Sequence, residues 1–340
     1  MFPIYKYQPL EIPESIRVLV LHPAQNLNDP LQCDLVHRHR RQIPLSLDSN
    51  TNYYEAVSYA WGDCIFSRDL ICGGNQLIKI TPNVDSMLRR LRRISKLRNL
   101  WVDSVSINQR DMDEKRVQVP LMGQIYHQAS KVHVWLGDAD QEVGKVFAFL
   151  RTLATVGNDN VTLQLIREIL VNLWGNTSTE AVDLFLQRPW FQRRWILQEI
   201  AFSREAIVRC STLKVSWEWL VNGLENLRLA CEYGLELGNR AIISLHTMCN
   251  LHKDGGRILG LLWDFDSAKC SDPRDRLFAI YSLARDISYD KTEGLQQRKQ
   301  KIHAPLDYNA NEDDLYSAFA TSCIDSGHFL EILRHVLAFG

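Results

Sequence analysis

Two groups of polar residues follow predicted strands, at positions where side chains could hold a ribose or a phosphate. The first group closes the predicted strand YYEAVSYAWGD and comprises Ser58, Tyr59, Trp61, Gly62 and Asp63. The second lies on or just beyond the predicted strand NLWVDSVSI and comprises Asp103, Ser106, Asn108 and Gln109. In open α/β sheets, ligands bind beyond the carboxyl ends of the strands. The alternative interpretation is that Asp63 and Asn108 form turns and cap helices.

A further candidate site is the segment RPWFQRRWILQEI. Trp195 and Glu199 are four residues apart, so they share one face of a helix. Arg188, Arg193 and Arg194 could hold an anion or pair with a carboxylate. Burial beside a tryptophan would raise the pKa of Glu199, and a nearby arginine would lower it. Glu199 is therefore a candidate active-site carboxylate, and the alternative is a buried tryptophan with a surface Glu–Arg pair.

Several common catalytic signatures are absent from the sequence. It contains no GxGxxG, GxxxxGK[ST], GxSxG or HExxH motif, and its histidines show no ligand spacing. Dehydrogenase, P-loop, α/β-hydrolase and zinc-protease functions are therefore disfavoured. The 8 cysteines include no CxxC pair, so we predict reduced core thiols and no metal site.

Composition indicates a globular protein with a substantial core. The chain has 340 residues, a hydrophobic fraction of 46% and a formal net charge of -1. This length suggests two domains or one large domain. The balanced charge disfavours a chain that wraps nucleic acid, and no specific nucleic-acid partner is predicted. No run approaches the ~20 apolar residues that span a bilayer, so we predict a cytoplasmic protein without a membrane partner.

The elements that would position these residues are predicted as follows. Ile16–Pro23 and LQCDLVHRH form an N-terminal β-hairpin, and LICGGNQLIKI forms a second hairpin around Gly73-Gly74. Strands and helices then alternate up to KVHVWLG, which indicates a partly parallel α/β sheet. Beyond Gly137 the sequence is mostly helical apart from the strand EAIVRCS, and residues 292–301 are an exposed loop or linker.

The arginine-rich segment TPNVDSMLRRLRRISK is predicted to be a helix. Thr81 is its N-cap, Pro82 fits the first helical position, and the apolar stripe extends to Ile94. The arginines at positions 89, 90, 92 and 93 lie largely off that stripe. They either bind phosphates or form a solvated face.

Taken together, five segments resemble the successive motifs of fungal heterokaryon-incompatibility (HET) domains. The segments are YQPLEIPESIRVLVLHP, YYEAVSYAWGD, NLWVDSVSINQRDMDEKRVQVPLMGQIYHQASKVHVWLGD, RPWFQRRWILQEI and SDPRDRLFAIYSLA, in order from about Tyr7 to Ala284. The sequence departs from the family pattern at Ser104 and Ser106, and at Val119-Pro120 within a predicted helix.

The resemblance implies an effector of fungal non-self recognition that triggers programmed cell death. HET domains are regarded as remote relatives of TIR domains, which implies a TIR/flavodoxin-like core and hydrolysis of NAD at the nicotinamide–ribose bond. The segment from Trp195 to Ile200 is similar to the TIR motif W-x-x-x-E-[IL], so the resemblance implies that Glu199 is the catalytic carboxylate. The substrate-binding candidates are Ser58, Tyr59, Trp61, Gly62, Asp63, Asp103, Asn108, Gln109, Arg193 and Trp195.

Three segments and three functions follow from this interpretation. Residues 1–50 would be a β-rich extension, residues 51–211 the α/β core, and residues 212–340 a helical region that completes or regulates the core. The chain would be an NAD glycohydrolase, a non-enzymatic signalling domain in the same pathway, or a hydrolase of another nucleotide. The expected partners are NAD or a related nucleotide, an incompatibility protein and, on activation, further copies of the chain. No cofactor is expected, since NAD would be the substrate.

Overall fold

The apolar runs of the N-terminal two-thirds form one mixed sheet, which has nine strands among the described residues. The computed structural model describes residues 2–10, 12, 14–43, 53–157, 160–250, 256–288, 301–304 and 306–339. The strands are Ser15–Leu21 (β1), Gln32–His39 (β2), Glu55–Tyr59 (β3), Arg68–Cys72 (β4), Gln76–Ile80 (β5), Arg98–Trp101 (β6), Val132–Trp135 (β7), Ala206–Cys210 (β8) and Leu213–Ser216 (β9). Their spatial order is β5-β4-β2-β1-β6-β3-β7-β8-β9.

The centre of this sheet is parallel and its two flanks are mixed. Strands β6, β3, β7 and β8 run parallel to one another. Numbered along the chain, these four strands have the order 2-1-3-4, which begins the flavodoxin-like order. Strand β1 pairs antiparallel with both β2 and β6, and β9 pairs antiparallel with β8. The predicted class, an α/β sheet with an N-terminal β-hairpin, is confirmed.

Helices follow the strands and dominate the C-terminal part of the chain, as predicted. They are Pro82–Leu91 (α1), Asp103–Ser106 (α2), Met112–Gln118 (α3), Met122–Gln128 (α4), Val143–Ala154 (α5), Leu163–Trp174 (α6), Glu180–Leu186 (α7), Ile196–Ala201 (α8), Trp217–Glu232 (α9), Asn239–Asn250 (α10), Ile258–Asp264 (α11), Asp275–Tyr281 (α12), Glu312–Asp325 (α13) and Phe329–Phe339 (α14). Two short parallel strands, Ile287–Ser288 (β10) and Ile302–His303 (β11), form a separate small sheet. None of the described helices combines the length and the apolarity that a membrane crossing needs.

The two faces of the sheet bury separate apolar clusters. Helix α1 packs on one face through an apolar stripe that shares a cluster with Val57 and Leu100. On the other face, Ala56 and Val134 share a larger cluster with side chains of α4, α5, α9 and α12. This larger cluster draws side chains from all three predicted segments, whose division into domains stays a prediction. The linker at 292–301, except Lys301, lies outside the described residues.

The structure differs from the sequence prediction in the extent of α1. Helix α1 ends at Leu91, and Ile94 is exposed. Arg89 and Arg92 are not simply a solvated face, because they donate to backbone carbonyls such as that of Asp29, at 2.9 and 3.1 Å. These bonds hold the connector between β1 and β2.

The predicted strand NLWVDSVSI is wrong in its second half, because β6 ends at Trp101 and Asp103–Ser106 forms one helical turn. The predicted helix across RPWFQRRWILQEI is instead a 3₁₀ turn, Pro189–Gln192, followed by α8. Pro120 lies in another 3₁₀ turn between α3 and α4. Strand β9 was not predicted.

Candidate functional site

A cavity of about 600 Å³ opens beyond the carboxyl ends of β3 and β6. This volume falls within the range typical of small-molecule sites. Segments following both strands contribute to its wall, together with α3, the turn before α8 and residues from the C-terminal region. The lining residues are Ala60, Trp61, Gly62, Cys64, Asp103, Ile107, Gln109, Lys115, Val119, Met122, Pro189, Arg193, Trp195, Lys269, Cys270, Ser271, Asp272, Asp275 and Tyr308.

Asp103 is the carboxylate held most firmly at the strand ends. Its Oδ2 accepts a hydrogen bond of 2.8 Å from Trp61 Nε1, and its Oδ1 accepts one of 2.6 Å from the Ser104 amide. Gln109 Nε2 donates to the Asp103 carbonyl at 2.9 Å, and Tyr59 donates its hydroxyl proton to Ser104 Oγ at 2.5 Å. Asp103 is 7% exposed. The carboxylate is therefore fixed in the cavity wall by its neighbours.

Arg193 connects the cavity to a buried carboxylate. It lines the cavity, donates from Nη1 to the Tyr59 carbonyl, and places Nη2 3.5 Å from Glu199 Oε1. Glu199 lies on α8, is 0% exposed and has no surface on the cavity. Its Oε2 accepts a hydrogen bond from the Ser58 hydroxyl, and Trp190 Nε1 donates to Ser58 Oγ at 2.8 Å. Glu199 therefore lies behind the cavity wall, next to Arg193.

The buried position of Glu199 changes its ionisation. Burial raises its pKa, the guanidinium of Arg193 lowers it, the charge of Asp103 raises it, and the Ser58 hydrogen bond lowers it, leaving the pKa at about 7. Glu199 Oε1 has no hydrogen-bond partner among the described residues. A buried carboxylate oxygen without a hydrogen bond is costly, and such groups concentrate at functional sites.

The cavity wall contains a second fixed carboxylate, Asp275. Asp275 accepts hydrogen bonds from Trp195 Nε1 at 2.9 Å and from the Tyr308 hydroxyl at 2.6 Å. Burial raises the pKa of Asp275. The sequence placed Trp195 at the site but singled out neither Asp275 nor Tyr308. The motif SDPRDRLF was the available signal for this wall.

The structure brings most of the predicted site residues together. Those in the cavity wall or directly behind it are Ser58, Tyr59, Trp61, Gly62, Asp103, Gln109, Arg193, Trp195 and Glu199. Asp63 and Asn108 are outside the cavity lining. Asp63 is exposed, and Asn108 Oδ1 accepts a hydrogen bond from the Arg110 amide at 3.3 Å, as a turn former does.

The arrangement suits a nucleotide better than a metal. Within the described part of the chain, no three His, Cys, Asp or Glu residues are grouped so as to hold a metal ion. The cavity instead combines the aromatic rings of Trp61, Trp195 and Tyr308 with carboxylates and cations. Aromatic rings can stack on bases, and carboxylates can accept hydrogen bonds from ribose hydroxyls.

Comparison with known proteins identifies a family over the central part of the chain. The family described as "Heterokaryon incompatibility protein (HET)" matches residues 54–199. "Heterokaryon incompatibility protein 6, OR allele" of Neurospora crassa is 28% identical over 59% of this chain and 34% of its own length. The chain thus spans about a third of that relative. No solved structure matches this chain. Asp275 and Tyr308 lie outside the residues that match the family.

Proposed function

We propose that this chain, whose residues 54–199 match the heterokaryon-incompatibility (HET) family, is an effector of fungal non-self recognition that binds NAD and cleaves its nicotinamide–ribose bond. Loss of NAD would then trigger cell death. The observation that carries this proposal is the buried Glu199, with its raised pKa, beside Arg193 in the cavity wall. In this proposal Glu199 is the catalytic carboxylate, and Asp103 and Trp61 contact the substrate.

Access to Glu199 requires Arg193 to move. The guanidinium has two anionic neighbours, since the charges of both Glu199 and Asp103 raise the pKa of Arg193 against the effect of burial. A change of partner from Glu199 to Asp103 keeps the guanidinium near a carboxylate and uncovers Glu199 Oε1. That oxygen then accepts a hydrogen bond from a ribose hydroxyl, which it lacks in the resting arrangement.

The reaction needs stabilisation of positive charge on the ribose. When the bond from ribose C1 to the pyridinium nitrogen breaks, its electron pair leaves with nicotinamide and the sugar gains oxocarbenium character, as in glycoside hydrolysis. The Glu199 carboxylate stabilises this charge. Water adds to C1 and releases a proton, which gives ADP-ribose. Nicotinamide departs as a neutral molecule.

Incubation of the purified chain with NAD tests the proposal directly. Chromatography should show nicotinamide and ADP-ribose appearing in equal amounts. The assay should be run on dilute protein and on crowded or artificially oligomerised protein, because TIR-like enzymes often act as assemblies. Unchanged NAD in every condition would refute the proposed reaction. Parallel incubations with other nucleotides would identify a hydrolase of a different substrate.

The complete burial of Glu199 favours a second candidate, a non-enzymatic signalling domain. Glu199 would then be the buried ion-pair partner of Arg193 and would serve only the fold. In that case the chain would kill cells by recruiting a partner protein, without loss of NAD. Measuring cellular NAD during induced expression separates the two functions, since toxicity at constant NAD supports only the second.

A further inference from the structure

Lys115 is a cation of the cavity wall that lacks an acceptor. It lies on α3, is half-buried, and places its ammonium 5.2 Å from the ring centre of Tyr308. Within the described residues, its Nζ forms no hydrogen bond or ion pair with an oxygen. A cation–π contact replaces only part of the hydration that a half-buried ammonium loses. Lys115 therefore keeps donors available to a ligand.

The carboxylates nearest to Lys115 are already occupied. Asp272 forms a two-point ion pair with Arg274, with distances of 2.9 Å from Nε to Oδ1 and 2.7 Å from Nη2 to Oδ2. Both oxygens of Asp275 accept hydrogen bonds, from Trp195 and Tyr308. Lys115 acts on both carboxyl groups only through its charge and bonds to neither. The charge interaction of Lys115 with Asp272 and Asp275 therefore leaves its hydrogen-bond donors unused.

We propose that Lys115 binds a phosphate group, so that the cavity takes nucleotides in preference to nucleosides. This inference rests on the proposed function and assigns an orientation to the substrate. The nicotinamide ribose lies at Asp103 and Arg193, and the diphosphate lies at Lys115, with Tyr308 beneath the ammonium. An ammonium bonded to a phosphate forms a charge-assisted hydrogen bond, which is stronger than one between neutral groups.

Binding titrations with ADP-ribose and adenosine test this assignment without requiring catalysis. The variants are Lys115→Gln and, as a matched control, Arg116→Gln. Arg116 is the adjacent residue on α3, is exposed and lies outside the cavity lining. Both variants lose one positive charge from the same helix. A general electrostatic effect would therefore change the ligand affinity of both variants equally. Thermal unfolding checks that each variant is folded.

Lys115→Gln should weaken ADP-ribose binding by about tenfold or more, the scale of one lost charge-assisted contact. The same variant should bind adenosine with unchanged affinity. Arg116→Gln should bind both ligands as the parent does. Lys115→Arg should retain most of the affinity for ADP-ribose. If folded Lys115→Gln binds ADP-ribose at the parental affinity, or loses both ligands equally, the phosphate assignment is overturned while the nucleotide function stands. If the parent binds neither ligand, the nucleotide function itself is overturned.

Discussion

Arg193 and Glu199 form an ion pair of which only one member reaches the cavity. Arg193 Nη2 lies 3.5 Å from Glu199 Oε1, Arg193 lines the cavity, and Glu199 is 0% exposed. The pair therefore joins the cavity to the buried face of α8. A molecule in the cavity could contact the Glu199 carboxylate only if it displaced the Arg193 side chain. This relationship makes the roles of the two residues separable by experiment.

Replacing Glu199 with Gln removes the charge and keeps the size of the side chain. If Glu199 stabilises the oxocarbenium-like transition state, the NAD cleavage rate should fall by on the order of 10²–10³, with the larger effect on kcat than on KM. Steady-state kinetics measure both constants, and cell toxicity should fall in parallel with NAD loss. Glu180→Gln, on the exposed start of α7, should cleave at the parental rate. A folded Glu199→Gln variant that cleaves NAD at the parental rate would show that Glu199 is not catalytic.

The raised pKa of Glu199 predicts a pH dependence with a definite sign. Burial is the main cause of its rise from 4.5 to about 7, so the folded state holds this proton more tightly than the unfolded state. The contribution of Glu199 to the free energy of unfolding should therefore fall as pH rises from about 4.5 to 7, by about 3 kcal/mol at most. Denaturant titrations of the parent and Glu199→Gln should show this loss only in the parent.

The same ionisation should control catalysis. If the Glu199 carboxylate is the active form, as proposed, kcat/KM for NAD should rise through a pH near 7. A profile that is flat between pH 5 and 9 would contradict this role of Glu199.

The strands could be predicted because parallel strands buried on both faces leave short apolar runs. Val57, Leu100 and Val134 belong to such runs, and all three are completely buried. Strand β9 was missed because its four residues, LKVS, are too few to establish an alternation. The half of NLWVDSVSI that forms α2 was also missed, since periodicity cannot separate a single helical turn from a strand end.

Only part of the site could be predicted, because sequence does not show which distant segments meet. Trp195 and Asp275 are 80 residues apart and share a hydrogen bond. Nothing local in the sequence pairs them. Asp63 and Asn108 were expected in the cavity because polar residues after strands often bind ligands, yet the same residue types form turns. Glu199 was found from its motif, but its position behind Arg193 depends on tertiary packing.

Replacing Arg193 with Gln should destabilise the protein more at alkaline pH than at acidic pH. Arg193 lowers the pKa of Glu199 against the effect of burial, so its loss leaves an unpaired buried carboxylate at high pH. Removing one partner of a buried pair costs about 3–5 kcal/mol while the other stays charged. At pH 5.5 Glu199 is protonated, so the loss of unfolding free energy should be smaller than at pH 8.

Arg188→Gln is the matched control for this measurement. Arg188 also donates to backbone carbonyls, including that of Leu136 at 3.1 Å, but its carboxylate partner is the exposed Asp140. The cost of Arg188→Gln should therefore be the same at pH 5.5 and pH 8. An equal cost of Arg193→Gln at the two pH values would contradict the coupling between Arg193 and Glu199.

Glu55 should stabilise the fold without affecting the cavity. It begins β3, is 7% exposed, and forms an ion pair with Arg98. His133 Nε2 lies 3.3 Å from Glu55 Oε2, but burial lowers the pKa of His133 to about 4, so at pH 7 this contact is a hydrogen bond from a neutral ring. Burial raises the pKa of Glu55, but the hydrogen bonds and charges of His133 and Arg98 outweigh burial and lower the pKa to about 2. Glu55→Gln leaves Arg98 without its carboxylate, so we expect a loss of about 3–5 kcal/mol in unfolding free energy at pH 7.

The pH dependence of that loss distinguishes an ion pair from simple packing. Because the folded pKa of Glu55 lies below its ordinary value of 4.5, its stabilisation is present above pH 4.5 and disappears as pH falls towards 2. The difference in unfolding free energy between parent and Glu55→Gln should shrink over that interval. Glu14→Gln, which breaks the exposed pair with Arg41, should cost less than about 1 kcal/mol. A Glu55→Gln cost that stays constant from pH 7 to pH 2 would show that packing, and not charge, stabilises this end of β3.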